Sequence, residues 1–191
     1  PNNYIKEITT KTTPIVLDGL ELGKYTITEI KAPTGYIVAS EGVKVELSDA
    51  KLAQEATITN DKNKLEISKT DMVTGKLLPG ATLEIQDKDG KVVNYCKDKD
   101  GKNIECKWVS TNEKYEIEGF PAGTYYLVET SAPDGYVIAE KVKFEIKEKE
   151  APKPVVMKNA FNKVKINKIS SDTGKPLSGA KLKIEDEAGT V

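Results

Sequence analysis

The sequence predicts an all-β protein built from tandem β-sandwich domains. Its apolar residues come in short runs that alternate with polar residues, and Gly, Pro, Asp and Asn separate one run from the next. No stretch keeps a helical period over a useful length. Short, closely spaced strands bounded by turn residues are typical of a sandwich or a barrel. The predicted strands include KLEISK, ATLEIQ, YEIEGF, YYLVET, KVKFEI and PVVMKN.

Two long motifs occur twice and define the size of one domain. GLELGKYTITEIKAPTGY at residues 19–36 recurs as GFPAGTYYLVETSAPDGY at residues 119–136. NKLEISKTDMVTGKLLPGATLEI at residues 63–85 recurs as NKVKINKISSDTGKPLSGAKLKI at residues 162–184. One unit is therefore about a hundred residues, which is an ordinary domain size and too long for a solenoid repeat.

The repeat predicts one complete domain and two partial ones. Residues 61–160 form the complete unit, residues 1–60 match the C-terminal half of such a unit, and residues 161–191 match the N-terminal half of another. Half a sandwich cannot bury its apolar face or pair its edge strands. Two interpretations are open. A longer array is cut in a loop, or residues 161–191 of one molecule complete residues 1–60 of a neighbour, head to tail, and propagate a fibre.

Composition excludes several classes of function. Lys and Arg number 29 against 30 Asp and Glu, giving a net charge of -1 and a mixed surface without a nucleic-acid footprint. No run approaches the roughly 18 apolar residues of a membrane span, so we expect no membrane insertion. Histidine is absent and there is no GxSxG element, which argues against a hydrolase. We expect no cofactor and no metal site.

The two cysteines flank a predicted hairpin. Cys96 and Cys106 lie on either side of KDKDGKNIE, in which Asp100 and Gly101 are a hairpin-turn signal. A hairpin centred near Gly101 places the cysteines roughly opposite each other, so a disulfide can form in an oxidising compartment. Two unpaired thiols in a polar loop remain the alternative, and the spacing is too long for a zinc knuckle pair.

Three strands of the complete unit each end an inward-facing series with a polar side chain. Alternate residues of a strand point to the same side. Burying these polar groups unpaired would cost several kcal/mol, so we expect the three groups to meet. The three series are Leu65, Ile67, Lys69; Tyr125, Leu127, Glu129; and Val155, Met157, Asn159.

An amine, a carboxyl and a carboxamide in an apolar core have a specific chemistry open to them. Desolvation favours the neutral amine and the neutral acid. Lys69 can then attack the side-chain carbonyl carbon of Asn159, while Glu129 polarises its oxygen and carries the proton, so that ammonia is expelled. The product is an amide crosslink between the first and last strands.

The partial units carry the same three groups between them. The first unit has a carboxyl and a carboxamide at the matching phase but no lysine strand, and residues 161–191 have the lysine. If the halves complete each other, Lys168 would bond Asn60 under Glu29. The series are Tyr25, Ile27, Glu29; Ala56, Ile58, Asn60; and Val164, Ile166, Lys168.

The motifs KTDMVTGKLLPGATLEI, GFPAGTYYLVETSAPDGY and VVMKN together resemble the B-type repeats of Gram-positive collagen adhesins (Cna B-type repeats), which also occur in sortase-built pilins. The resemblance covers essentially the whole chain and implies compact transthyretin-like or inverse immunoglobulin-like β-sandwiches. Many such domains hold a self-formed isopeptide bond between Lys and Asn, assisted by the Glu of an ETxAP element. In this sequence the resemblance implies that Lys69 and Asn159 form the bond and that Glu129 assists it.

Function is expected to be mechanical. The resemblance implies a stalk or fibre segment of a bacterial cell-surface protein, outside the cell and attached to its wall, with neighbouring repeats of the same protein as partners. The reaction would occur once per domain, so the chain is not an enzyme in the turnover sense. A ligand-binding adhesin module for a host extracellular partner is the alternative. It would need an exposed apolar or aromatic patch, for which the hairpin between Cys96 and Cys106 is the place to look, whereas packing is the expected role of the neighbouring Trp108.

Overall fold

The computed structural model describes residues 6–51 and 53–189. Within them lie eleven β-strands and no helix, so this part of the chain holds no helix able to cross a membrane. The all-β prediction is confirmed. The strands are β1 (Gly23–Ile27), β2 (Val43–Leu47), β3 (Lys64–Asp71), β4 (Thr82–Gln86), β5 (Cys96–Lys97), β6 (Asn103–Ile104), β7 (Lys107–Val109), β8 (Tyr115–Glu118), β9 (Gly123–Ser131), β10 (Val142–Ile146) and β11 (Val155–Asn159).

Strands β3, β4 and β7 to β11 build a sandwich of two sheets. One sheet has the order β10-β9-β4-β7 and the other has the order β11-β3-β8. Strands β3 and β11, the first and last of the sandwich, are parallel neighbours, with Met157 opposite Lys69 and Asn159 opposite Asp71. This long-range pairing brings the two ends of the sandwich sequence side by side.

One apolar core fills the space between the two sheets. It draws inward-facing residues from both, because alternate residues of each strand point to the same side. Each fully buried large apolar side chain contributes roughly 1.5–3 kcal/mol relative to its exposed state. The side chains that are at most 1% exposed include Phe120, Leu65, Ile67, Leu83, Ile85, Leu127 and Met157.

The chain on either side of the sandwich is far less packed. In the first unit, β1 and β2 form an antiparallel pair that is a sheet by itself. Residues 161–189 contain isolated bridges but no strand. Most of the large apolar side chains in these two segments are solvent-exposed, and Val164 is 87% exposed.

The cysteines form a disulfide that ties a small hairpin to the core. Strands β5 and β6 pair across a turn in which Gly101 donates to the Asp98 carbonyl at 3.0 Å. Cys96 and Cys106 are bonded to each other and both are buried. The Ile85 amide of β4 donates to the Cys106 carbonyl at 2.9 Å, so the hairpin is anchored on an inner strand of the larger sheet.

The first unit abuts the sandwich through a tight backbone junction. The Asn63 amide donates to the Gly35 carbonyl at 3.0 Å. The Asn63 side chain forms two hydrogen bonds with the Phe120 backbone: its Nδ2 donates to the Phe120 carbonyl at 2.7 Å, and its Oδ1 accepts from the Phe120 amide at 2.8 Å. A Cβ on Gly35 would lie 2.5 Å from the Gly119 carbonyl oxygen, so only glycine permits this approach.

We therefore expect Gly35→Ala to open the junction between the first unit and the sandwich. The added methyl overlaps backbone, which cannot move aside as a flexible side chain could. Small-angle X-ray scattering should show a broader range of interparticle distances, and limited proteolysis should cut faster near residues 60–63. Gly135→Ala is the matched control, because Gly135 has a similar φ of +80 but no atom within 4 Å of its Cβ. Equal effects of the two substitutions would contradict this expectation.

Candidate functional site

Strands β3, β9 and β11 carry Lys69, Glu129 and Asn159 into one buried place. Each residue continues the inward-facing series of its strand, which is why the sequence phase predicts its direction. Lys69 is 3% exposed, Glu129 is 4% exposed and Asn159 is 1% exposed. The structure thus brings all three of these predicted residues together between the sheets.

The three side chains contact one another directly. Lys69 Nζ contacts Asn159 Oδ1 and lies 3.2 Å from Glu129 Oε1. Asn159 Nδ2 donates to both carboxyl oxygens of Glu129, at 2.9 Å each, and to the Val137 carbonyl at 3.0 Å. The Ala139 amide donates to Glu129 Oε2 at 2.6 Å, which fixes the carboxyl group.

Burial controls the protonation state of the amine. Desolvation lowers the pKa of Lys69, and the neighbouring Glu129 opposes that effect. A lowered pKa increases the fraction of neutral amine, which is the nucleophilic form. No buried side-chain nitrogen or oxygen among the described residues lacks a hydrogen-bond partner, so the three groups satisfy one another.

This arrangement can support attack of an amine on a carboxamide. The nucleophile lies against the amide group, and the Glu129 carboxyl touches both the amine and the nitrogen that would leave. A single carboxyl group can therefore take a proton from Lys69 and deliver it to Asn159 Nδ2. Burial excludes water, which would otherwise compete for the same proton transfers.

A second contact joins the two motifs that carry the family resemblance. The Tyr136 hydroxyl of the APDGY motif donates to Asp71 Oδ2 of the SKTD motif at 3.0 Å. Asp71 Oδ1 also accepts hydrogen bonds from the amides of Val73 and Thr74 and from the Thr74 hydroxyl. Neither Tyr136 nor Asp71 is among the site residues that the sequence predicts. The available signal was an Asp followed by TG, which is typical of a side-chain-capped turn.

Acid should weaken this turn at a predictable pH. Hydrogen bonds from the Thr74 amide and hydroxyl, and then from Tyr136, hold the pKa of Asp71 below its ordinary value of 3.8. Stabilisation by a group with a lowered pKa is present above the unfolded-state value and is lost as the pH falls through the folded-state value. We expect stability to fall below pH 3.8.

Thermal unfolding of the wild type and Asp71→Asn from neutral pH to about pH 2 checks this. The variant should lose less stability than the wild type below pH 3.8. Asp134→Asn, at an exposed position in the APDGY turn, is the control and should follow the wild type. Parallel pH profiles for the wild type and Asp71→Asn would contradict the assignment.

The second predicted set is only partly assembled. Asn60 Nδ2 donates to Glu29 Oε2 and to the Ile37 carbonyl, and the Ala39 amide donates to Glu29 Oε2. Lys168 is exposed and is not brought to this pair. Among the described residues, no lysine contacts Glu29 or Asn60.

A protein-family model matches two consecutive stretches of the chain. The model described as the SpaA prealbumin-like fold domain matches residues 2–62 and residues 63–160. No curated protein sequence shows significant similarity to the chain.

Solved structures similar to this chain include several Gram-positive pilins. The group B streptococcus pilus 2b backbone protein is 20% identical with a TM-score of 0.43, over 64% of this chain and 45% of that one. A streptococcal ancillary pilin is 30% identical with a TM-score of 0.40, over 75% and 43% of the two chains. The shaft pilin SpaA from Lactobacillus rhamnosus GG is 20% identical with a TM-score of 0.43, over 75% and 66%. The chain thus spans less than half the length of the first two.

Proposed function

Because the chain belongs to the family of SpaA prealbumin-like fold domains, we propose that it is a structural segment of a bacterial cell-surface fibre, such as a pilus shaft or an adhesin stalk. In this proposal an amide bond between Lys69 and Asn159 locks the sandwich. The observation that carries it is the buried contact of Lys69, Asn159 and Glu129 between the first and last strands. Neighbouring domains of the same kind are the partners, at the cell surface and attached to the cell wall.

The proposed reaction balances without any added reagent. Lys69 reacts as the neutral amine: its Nζ attacks Asn159 Cγ to form the new carbon–nitrogen bond, and Glu129 takes one of the two protons of Nζ. The bond between Cγ and Nδ2 breaks as Glu129 returns a proton to the leaving nitrogen. A primary amine and a carboxamide thus become a secondary amide and one molecule of ammonia, with no oxidation or reduction.

The same burial that supports the reaction argues for a structural role over a catalytic one. Lys69 and Asn159 are consumed when the bond forms, so each domain reacts once. All three side chains are at most 4% exposed, which leaves no access for an external substrate. The bond joins strands that are already parallel neighbours, so it reinforces the place where the two ends of the sandwich meet.

Intact-mass spectrometry of the purified, reduced and denatured chain tests the proposal. We expect a mass lower than the sequence mass by one ammonia for the Lys69–Asn159 bond, and Asn159→Ala should restore the full mass. Asn94→Ala is the matched control, because Asn94 is exposed and should leave the ammonia loss unchanged. Tandem mass spectrometry should find a branched peptide joining the two strands. A wild-type chain of full mass would overturn the proposal.

A further inference from the structure

The loop between β9 and β10 supplies two backbone groups to the proposed crosslinking site. The Val137 carbonyl accepts a hydrogen bond from Asn159 Nδ2 at 3.0 Å, and the Ala139 amide donates to Glu129 Oε2 at 2.6 Å. One peptide group thus orients the carboxamide and another orients the acid. Because both come from one stretch of three residues, a single displacement of this loop would misplace both reacting groups.

Side-chain packing does little to hold this stretch in place. Residues 137–141 lie outside the strands, and the side chains of Val137 and Ile138 are 53% and 56% exposed. Ala139 has a single methyl group to bury. The position of the two orienting peptide groups must therefore come from hydrogen bonds and from the residues that flank them.

Tyr136, directly before this stretch, is anchored on two sides. Its ring stacks on Phe161, with ring centroids 4.3 Å apart, and its hydroxyl donates to Asp71 Oδ2 at 3.0 Å. The next amide, that of Val137, donates to the Ala160 carbonyl at 3.0 Å. The stack and the Ala160 contact tie the loop to the chain that follows β11. The bond to Asp71 ties the loop to β3, which is the strand that carries the nucleophile.

Asp71 is a fixed anchor for that bond. It is 5% exposed, and it lies two positions after Lys69 and directly opposite Asn159 in the parallel strand pair. Two backbone amides and one hydroxyl of the following turn donate to its Oδ1, which holds the carboxyl group with Oδ2 towards Tyr136. The hydrogen bond from Tyr136 therefore sets the loop relative to the two strands that are to be joined.

The first unit has the same loop arrangement. There the Ile37 carbonyl accepts from Asn60 Nδ2 at 2.9 Å, and the Ala39 amide donates to Glu29 Oε2 at 2.7 Å. These two groups come one and three positions after Tyr36, which is the spacing found in the sandwich. A tyrosine directly before the two orienting peptide groups is therefore common to both units.

We propose that Tyr136 and Asp71 are positioning residues for the bond between Lys69 and Asn159. The inference rests on the proposed function and extends it to residues outside the three that react. The hydrogen bond between Tyr136 and Asp71 fixes the loop against β3, so that the carboxamide and the acid meet the amine in the reactive geometry. A misplacement of about 1 Å can slow a reaction about 100-fold.

Tyr136→Phe tests the inference because it removes the hydroxyl and keeps the ring on Phe161. A pulse of cell-free synthesis gives unreacted full chain, and the intact mass of reduced, denatured samples follows the loss of ammonia with time. We expect this loss to be at least about tenfold slower than in the wild type. Tyr125→Phe is the matched control, since it removes a hydroxyl that donates to the Pro121 carbonyl at 3.1 Å, and it should react at the wild-type rate. Equal rates for the two variants would overturn the inference.

A double-mutant cycle separates positioning from a general loss of stability. Asp71→Ala should also slow the loss of ammonia, and adding Tyr136→Phe to it should slow the reaction no further, because both changes remove the same hydrogen bond. Asp71→Asn should react faster than Asp71→Ala, since either end of the carboxamide can pair with a tyrosine hydroxyl. Independent effects that multiply in the double variant would contradict a shared role.

Amide hydrogen exchange tests the positioning without any reaction. Lys69→Met cannot form the bond but keeps Glu129 and its contact with the Ala139 amide. In this background Tyr136→Phe should speed exchange of the Ala139 amide, whereas Tyr125→Phe should not. Unchanged exchange would refute the inference whatever the mass of the wild type. A wild type of full mass would overturn the proposed function and this inference with it, whereas a wild type that loses ammonia no faster than Tyr136→Phe overturns the inference alone.

Discussion

Glu129→Gln is expected to leave the sandwich uncrosslinked and to lower its melting temperature by roughly 20–35 °C. Gln has nearly the same shape as Glu but cannot carry a proton from Lys69 to Asn159 Nδ2. The crosslink closes a loop between residues 90 positions apart. A loop of that length removes about 4–5 kcal/mol of chain entropy from the unfolded state. For a domain of this size, each kcal/mol corresponds to about 4–8 °C.

Differential scanning calorimetry, with intact mass measured on the same samples, checks this result. Lys69→Met should behave like Glu129→Gln, since it removes the nucleophile and keeps an unbranched apolar side chain. Glu140→Gln, an exposed neighbour in sequence of the Ala139 amide that holds Glu129, is the matched control and should melt with the wild type. If Glu129→Gln loses no ammonia and still has the melting temperature of the wild type, then no crosslink stabilises the fold.

Under tension, the wild-type sandwich is expected not to lengthen, whereas Glu129→Gln should unfold and extend by roughly 260–290 Å while its disulfide is intact. Force enters at β3 and leaves at β11, and in the crosslinked domain it passes from Lys69 directly to Asn159. The chain between these residues then carries no load. Without the bond, the 90 positions that separate them, less the 10 that the disulfide bridges, are released at about 3.3–3.6 Å per residue.

Single-molecule stretching between handles placed at the two ends of the chain measures this extension. Glu140→Gln again serves as the control and should show no unfolding step from the sandwich. The cysteines give an internal check, because the disulfide bridges Cys96 and Cys106 within the released segment. Adding a reductant should therefore lengthen the step in Glu129→Gln and change nothing in the wild type. A wild-type sandwich that extends as far as Glu129→Gln does would contradict a bond between Lys69 and Asn159 that carries the force.

Strand phase predicted the buried site well because it is a local property. An inward series that ends in Lys69, Glu129 or Asn159 can be read from a few residues of each strand, and the cost of burying them unpaired then requires that they meet. Phase cannot say which atoms touch. The contact of Glu129 with the amide nitrogen of Asn159 depends on the Ala139 amide, which comes from a loop.

Other contacts made across long sequence separations could not be predicted from strand phase. The hydrogen bond from Tyr136 to Asp71 spans 65 positions, and those between Asn63 and Phe120 span 57. Nothing in the local pattern distinguishes such an Asn or Tyr from an ordinary turn residue. The aromatic stack of Trp108 on Tyr115, with ring centroids 4.3 Å apart, likewise depends on β7 and β8 joining different sheets.

The junction around Gly35 and Asn63 has a consequence for any array of these units. Two of its backbone hydrogen bonds recur one unit later: the Asn162 amide donates to the Gly135 carbonyl at 2.9 Å, and the Val137 amide donates to the Ala160 carbonyl at 3.0 Å. The earlier pairs are Asn63 with Gly35 and Ile37 with Asp61, at 3.0 and 2.9 Å. A junction repeated with the same contacts imposes the same rotation and rise at each step. Such an array has helical symmetry with a uniform twist, and a few peptide groups at each junction set its handedness and axial repeat.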